Sequence, residues 1–211
     1  MKEKEAINNL KIKVIKKEES SLYETIDITL KLIALGDSDE YKTNIINQYI
    51  SQKNNDNSTK MESTTLNSKI YQIEKKIVKL DIWNIPSQFN LDINQTNILD
   101  NINGAIIVCD INKTDYFEKI EEWKEMIEEK NEKKNINFFL LVNKTDFKKK
   151  KIKYGGKALE GYYIDICDSN STNIKKTFEI ILKKTYIEYM KTKDFEKYKK
   201  RKMKGCGCGC F

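Results

Sequence analysis

Apolar positions in this chain fall into short runs of two alternating periods. Ile26, Ile28, Leu30 and Leu32 alternate with polar neighbours and then close into the unbroken Leu32-Ile33-Ala34-Leu35. Such a run predicts a strand at the centre of a sheet covered on both faces. Gly36 ends it, and Ile45, Ile46 and Tyr49 at helical spacing predict a helix over residues 42–50. Residues 51–65 are polar apart from Met61 and predict a long loop. Strands are expected at 70–73 and 77–83, across the turn Glu74-Lys75-Lys76, and Pro86 opens a second polar loop. The apolar segments 105–109 and 138–142 predict buried strands, and 162–167 a last one. Phe117, Ile120, Trp123 and Ile127 mark one intervening helix; Ile174, Phe178, Ile181 and Leu182 mark a long one from about Thr172. Strands alternating with helices imply an α/β fold with a doubly wound, mainly parallel sheet. In that architecture ligands bind beyond the carboxyl ends of the strands.

Composition narrows the class. With 39% hydrophobic and 34% charged residues, the chain reads as globular with polar loops. No apolar run approaches the roughly 18 residues that span a bilayer. Met1 to Glu5 carry charge without a following apolar segment, unlike a secretory signal, and Lys2 in place of Gly excludes N-myristoylation. The expected organisation is a flexible extension over 1–25, a folded domain over 26–192 and a basic tail over 193–211. The net charge of +7 is concentrated in that tail, where basic residues outnumber acidic ones seven to two. No basic face with interleaved aromatics is found, so nucleic acid is not an expected partner. Cys109 and Cys167 sit in apolar strands and read as buried free thiols in a reducing setting.

Gly36-Asp37-Ser38-Asp39-Glu40-Tyr41-Lys42-Thr43 lies between a buried strand and a helix, the setting of the phosphate loop Gly-x4-Gly-Lys-Ser/Thr. That loop needs backbone N–H groups around phosphate, an ammonium on its outer oxygens and a hydroxyl on Mg²⁺. Gly36, Lys42 and Thr43 are in place, with Ser38 between them, but Tyr41 replaces the second glycine. Asp39 and Glu40 add two carboxylates close to where a triphosphate would lie. The plain alternative is a strand-turn-helix with a fortuitous Lys-Thr.

Asn143-Lys144-Thr145-Asp146 follows directly on the strand at 138–142. A carboxylate at Asp146 matches the N1–H and exocyclic amine of guanine, which adenine does not offer in that arrangement. Asn143 would tie the segment to the phosphate loop, and the Lys144 stem would cover the base. Asn112-Lys113-Thr114-Asp115 repeats the motif one strand too early and reads as the cap and first turn of a helix.

Leu35-Gly36-Asp37-Ser38 with Lys42-Thr43-Asn44 resembles the phosphate loop of Rab-type small GTPases. Leu80-Asp81-Ile82-Trp83-Asn84-Ile85-Pro86-Ser87-Gln88-Phe89 is similar to their second switch. The resemblance covers residues 26–192 and implies binding of GTP or GDP with Mg²⁺, and partnership with effector and regulatory proteins. It places Gln88 as the water-orienting catalytic residue, Trp83 in effector contact and Thr64 with Thr43 on magnesium, with Ser63 or Thr65 as alternatives to Thr64. Three departures stand out. The magnesium-side Asp is Asn84, the glycine that senses the γ-phosphate is Ser87, and two residues are missing before Phe89.

The ending Cys206-Gly207-Cys208-Gly209-Cys210-Phe211 follows the basic run 199–204. It reads either as a Cys-a-a-X box at Cys208 with a geranylgeranyl-type Phe, or as a form of the Rab Cys-x-Cys ending using Cys208 and Cys210. A metal-binding tract or a nucleic-acid-binding tail are the alternatives. The resemblance thus implies a membrane-attached switch in vesicle trafficking, on the cytoplasmic face of intracellular membranes with a cytosolic pool. The second reading is a pseudo-GTPase, a lipid-anchored binding module with weak or no nucleotide handling.

Overall fold

The computed structural model describes residues 7, 9–15, 25–51, 63–88, 96–109, 115–131, 136–143, 162–167 and 171–205. Its strands are β1 (Ile12–Val14), β2 (Ile28–Gly36), β3 (Thr65–Ile73), β4 (Lys76–Asn84), β5 (Gly104–Cys109), β6 (Asn137–Asn143) and β7 (Tyr162–Cys167). Its helices are α1 (Asp39–Ser51), α2 (Thr96–Leu99), α3 (Tyr116–Lys130) and α4 (Ser171–Gly205). All seven strands join one sheet in the order β1-β3-β4-β2-β5-β6-β7. From β4 to β7 every neighbour is parallel, and β3 alone runs against the rest, antiparallel to both β4 and β1. This is the doubly wound α/β sheet expected from the alternation of periods.

The sheet is buried on both faces, which explains the unbroken apolar run in its central strand. On one face Leu30, Leu32, Ala34, Leu80, Ile82 and Phe139 meet α1 and α4, where Tyr49 stacks on Phe178 with centroids 4.1 Å apart. On the other face Ile33, Leu35, Ile107, Leu140 and Val142 meet Leu99 of α2 and Ile120 and Ile127 of α3. Cys109 is a buried free thiol within that second cluster, as expected.

Four boundaries differ from the sequence expectation. First, β1 lies inside the expected flexible extension of 1–25. It pairs with β3 from Ile12↔Ile73 to Val14↔Tyr71, and Ile15 beside it is buried, so apolar burial and a sheet edge anchor this part of the segment. Second, β3 begins at Thr65, ahead of the expected residue 70, because its polar first half is held by pairing with β4 down to Thr65↔Asn84. Third, α1 begins at Asp39, three residues ahead of Lys42. Fourth, α4 continues through the start of the expected tail to Gly205.

β2 feeds toward β4 on one side, while its other neighbour β5 feeds toward β6. The sheet therefore reverses its winding between β2 and β5, where α/β folds open a crevice at the strand ends. Gly36 closes β2 at that point.

Candidate functional site

Gly36 is demanded by the sheet itself. A Cβ there would stand 2.4 Å from the carbonyl oxygen of Val108 on β5. The first glycine of the motif thus serves close strand packing whatever the loop binds.

The next residues do not encircle a phosphate. Ser38 Oγ accepts the Tyr41 N–H at 3.3 Å, and the Ser38 carbonyl accepts the Lys42 N–H at 3.0 Å. Ser38 is therefore the N-cap of α1, with Asp39 and Glu40 as acids in its first turn. Among the described residues only Glu74 and Asn101, apart from glycine, have positive φ, so nothing between 37 and 43 adopts a left-handed turn. With Tyr41 where glycine was needed, helical winding replaces the open loop. The Tyr41 side chain packs against the α1–α4 core cluster.

This early helix start places Asp39 and Lys42 one turn apart on the same face. Lys42 is wholly buried. Its Nζ donates to Asp39 Oδ1 at 3.0 Å and, through a short contact, to the carbonyl oxygen of Ile85 just beyond β4. Asp39 in turn accepts the Ser87 N–H at 2.7 Å and the Ser87 hydroxyl at 2.9 Å. One carboxylate thus joins the phosphate-loop lysine to the loop after β4. Burial pulls the Lys42 ammonium below its ordinary pKa, against the opposing pull of Asp39. Burial pushes Asp39 up, but the hydrogen bonds from Lys42 and Ser87 and the attraction of the ammonium leave it below the usual carboxylate value.

The donor set expected for magnesium is altered as well. Asn84 is buried at the end of β4, and its Nδ2 donates to Thr43 Oγ1 at 3.0 Å. A carboxamide hydrogen is thus aimed at the hydroxyl expected to ligate the ion, where the family motif has a carboxylate. Thr64 lies just before β3, whose Thr65 pairs with Asn84, and its buried Oγ1 has no hydrogen-bond partner among the described residues. Mg²⁺ is held through one or two carboxylates, with water and phosphate completing its octahedron. Asp39 is committed to Lys42 and Ser87, and no group of three or more acidic, Cys or His ligands exists among the described residues. The residues present do not fit the ion.

Gln88 is exposed in the turn after Pro86. Trp83 is half-buried against the α2–α3 cluster, with the Lys31 ammonium 5.7 Å from its ring centroid. Asn143 ends β6, two strands from β2 along the sheet, at the same carboxyl edge as Gly36. Lys144, Asp146, Cys208 and Cys210 lie outside the described residues, as do Asn112, Lys113 and Thr114. The structure therefore gathers Ser38, Lys42, Thr43 and Asn84 at the strand ends, with Thr64 nearby and Asn143 two strands across. It adds the pairing of Asp39 with Ser87, which sequence reading did not predict. Its signal is Ser38-Asp39-Glu40, a hydroxyl cap followed by two acids.

Comparison with known proteins agrees with this topology. The model of the Ras family matches residues 31–187, well over half of the chain. The Ras-related protein YPTC6 of Chlamydomonas reinhardtii is 25% identical over 166 residues, covering 76% of each chain. The Ypt/Rab-type GTPase ypt7 of Schizosaccharomyces pombe is 26% identical over 73% of this chain and 80% of its own. Ras-related protein Rab-11B of Dictyostelium discoideum is 24% identical, covering 79% and 78%. A doubly wound sheet, a lysine of the phosphate-loop motif at its reversal point and a family match across its length lead to one assignment: the chain belongs to the Ras family, as a divergent Rab-type small GTPase.

Proposed function

We propose that this protein acts in vesicle trafficking as a Rab-like, membrane-attached binding module. In this reading it retains guanine recognition through Asn143, Lys144 and Asp146, and its hydrolysis is slow or lost. The trafficking role is carried over from Rab- and Ypt-named relatives. The loss of turnover rests chiefly on one observation, the burial of Lys42 against Asp39 and Ile85. A cation with no exposed surface and two protein acceptors is poorly placed to stabilise charge developing on a transferred phosphoryl group. The Asn84–Thr43 hydrogen bond and the exposure of Gln88 agree with it.

Attachment is proposed through isoprenoid lipids on Cys208, Cys210 or both, with the preceding basic run favouring anionic cytoplasmic leaflets. The fully cycling switch is the second reading, favoured by the intact Asn143-Lys144-Thr145-Asp146.

Three measurements test these points. Protein purified from its native cell and denatured should release guanine nucleotide or none, and release of adenine nucleotide would refute guanine recognition. Single-turnover hydrolysis should be barely above background, and a rate typical of intact family members would restore the cycling switch. Intact mass should show isoprenoid additions, and unmodified cysteines would refute the anchor.

A further inference from the structure

We infer that the Asp39 carboxylate stands in for a terminal phosphate: it holds Ser87 beyond β4 in place without nucleotide, and it opposes a γ-phosphate on the same donors.

The inference builds on the family reading of this site and comes from which donors Asp39 satisfies. The motif Gly-x4-Gly-Lys-Thr assigns its lysine to the outer phosphate oxygens. In this chain Lys42 Nζ gives that hydrogen bond to Asp39 Oδ1 at 3.0 Å. By the resemblance, position 87 is where a backbone N–H meets a γ-phosphate, and here the Ser87 N–H is 2.7 Å from the same Oδ1. Ser87, in place of glycine, adds its hydroxyl on Oδ2 at 2.9 Å. The carboxylate thus accepts a cation, an amide and a hydroxyl, the donor types that bind a phosphoryl group. It also lies in the first turn of α1, where a helix favours negative charge.

Two features make the substitution durable. The carboxylate is tethered, so the clasp costs no association entropy that a free ligand would have to overcome. Lys42 is wholly buried and the Asp39 side chain only 11% exposed, which limits the access of water to their ion pair, while the Ser87 contacts lie at the surface. A γ-phosphate brought to the same donors would have to displace a bound anion while carrying further negative charge beside Asp39. A diphosphate lacks that further charge, although its β-phosphate also looks to Lys42.

The test uses the nucleotide-free full chain and measures exchange of single amide hydrogens by NMR. The Ser87 amide should exchange slowly in the wild type and at least ten-fold faster in Asp39→Ala. The Ile85 amide, which donates to the Ala34 carbonyl at 3.0 Å, is the internal control and should change little. Because Asp39→Ala leaves a buried ammonium without its carboxylate, Asp39→Ala with Lys42→Met is the second variant. It should also release Ser87. In a parallel melting assay GDP should stabilise the wild type more than a non-hydrolysable GTP analogue. Equal Ser87 exchange in the wild type and the double variant would overturn the inference. So would stronger stabilisation of the wild type by the triphosphate analogue, which would leave guanine recognition intact. If no guanine nucleotide stabilises any variant while Ser87 stays protected, guanine recognition fails and the clasp stands.

Discussion

The two halves of the Lys42–Asp39 pair should respond very differently to removal, and the difference measures what the pair does. Lys42 has no exposed surface, whereas the Asp39 side chain keeps 11% of its own. Asp39→Ala strips the ammonium of its hydrogen-bonded carboxylate and leaves it with the Ile85 carbonyl and the attraction of Asp37, in a site water does not reach. Removing one partner of a buried ion pair costs about 3–5 kcal/mol, because the other charge is left uncompensated. Lys42→Met removes the charge that is hardest to bury and keeps most of the apolar volume. Asp39 then retains both Ser87 donors and its small access to solvent. Apolar replacement of buried charge is often neutral or stabilising, so this variant should lose no more than about 1 kcal/mol. Equilibrium urea unfolding gives both numbers, provided the slope with denaturant stays constant. In melting experiments the gap amounts to roughly 10 °C for a domain of this size. Equal losses for the two variants would refute this account of the clasp, as would a cost below about 1 kcal/mol for Asp39→Ala.

Acid should open the clasp. Asp39 is held below its ordinary pKa of 3.8, so its contribution is complete above that value and is lost as pH falls through the lower, folded one. Stability followed by circular dichroism should show a steeper loss below pH 3.8 in the wild type than in the Asp39→Ala, Lys42→Met double variant. Gly36→Ala should destabilise the apo protein by at least about 1–3 kcal/mol, since its Cβ meets the Val108 carbonyl oxygen at 2.4 Å. Unchanged apo stability would mean that β2 and β5 can separate freely. Phe178→Ala should cost about 3–5 kcal/mol through lost burial and loss of the Tyr49 stack, and a cost under about 1 kcal/mol would show that α1 and α4 are not packed as described.

The sheet was readable because its middle is buried on both faces. The runs 32–35, 105–109 and 138–142 within β2, β5 and β6 are apolar at every position, as burial on both faces requires. The first half of β3 was not readable: Asn67, Ser68 and Lys69 carry little strand signal, and pairing with β4 supplies what local preference lacks. In β1 the alternation of Leu10, Ile12 and Val14 was present, but the charged and polar residues around it led to a reading as extension.

The phosphate loop failed for a different reason. Two local signals overlap at residues 36–43, one for a loop around phosphate and one for a capped helix. Tyr41 removes the conformational freedom that the first requires, and Ser38 completes the second. Lys42, Thr43, Asn84 and Ser87 were identified as neighbours by motif. That Asp39 would join two of them depended on where α1 begins, since a helix starting at Lys42 would leave Asp39 outside it and not one turn ahead of Lys42 on the same face.

The short N-terminal strand has a consequence for handling the protein. β3 is nine residues long and β1 only three, so β1 shields the Tyr71–Ile73 end of an otherwise outermost strand. Strand edges with free amides and carbonyls recruit other chains. A fragment cut at residue 26, where the motifs alone would place the domain boundary, would uncover that end together with the apolar side chains that Leu10, Ile12 and Ile15 now cover. Such a fragment should self-associate through its sheets, and its failure in solution would be mistaken for instability of the nucleotide fold.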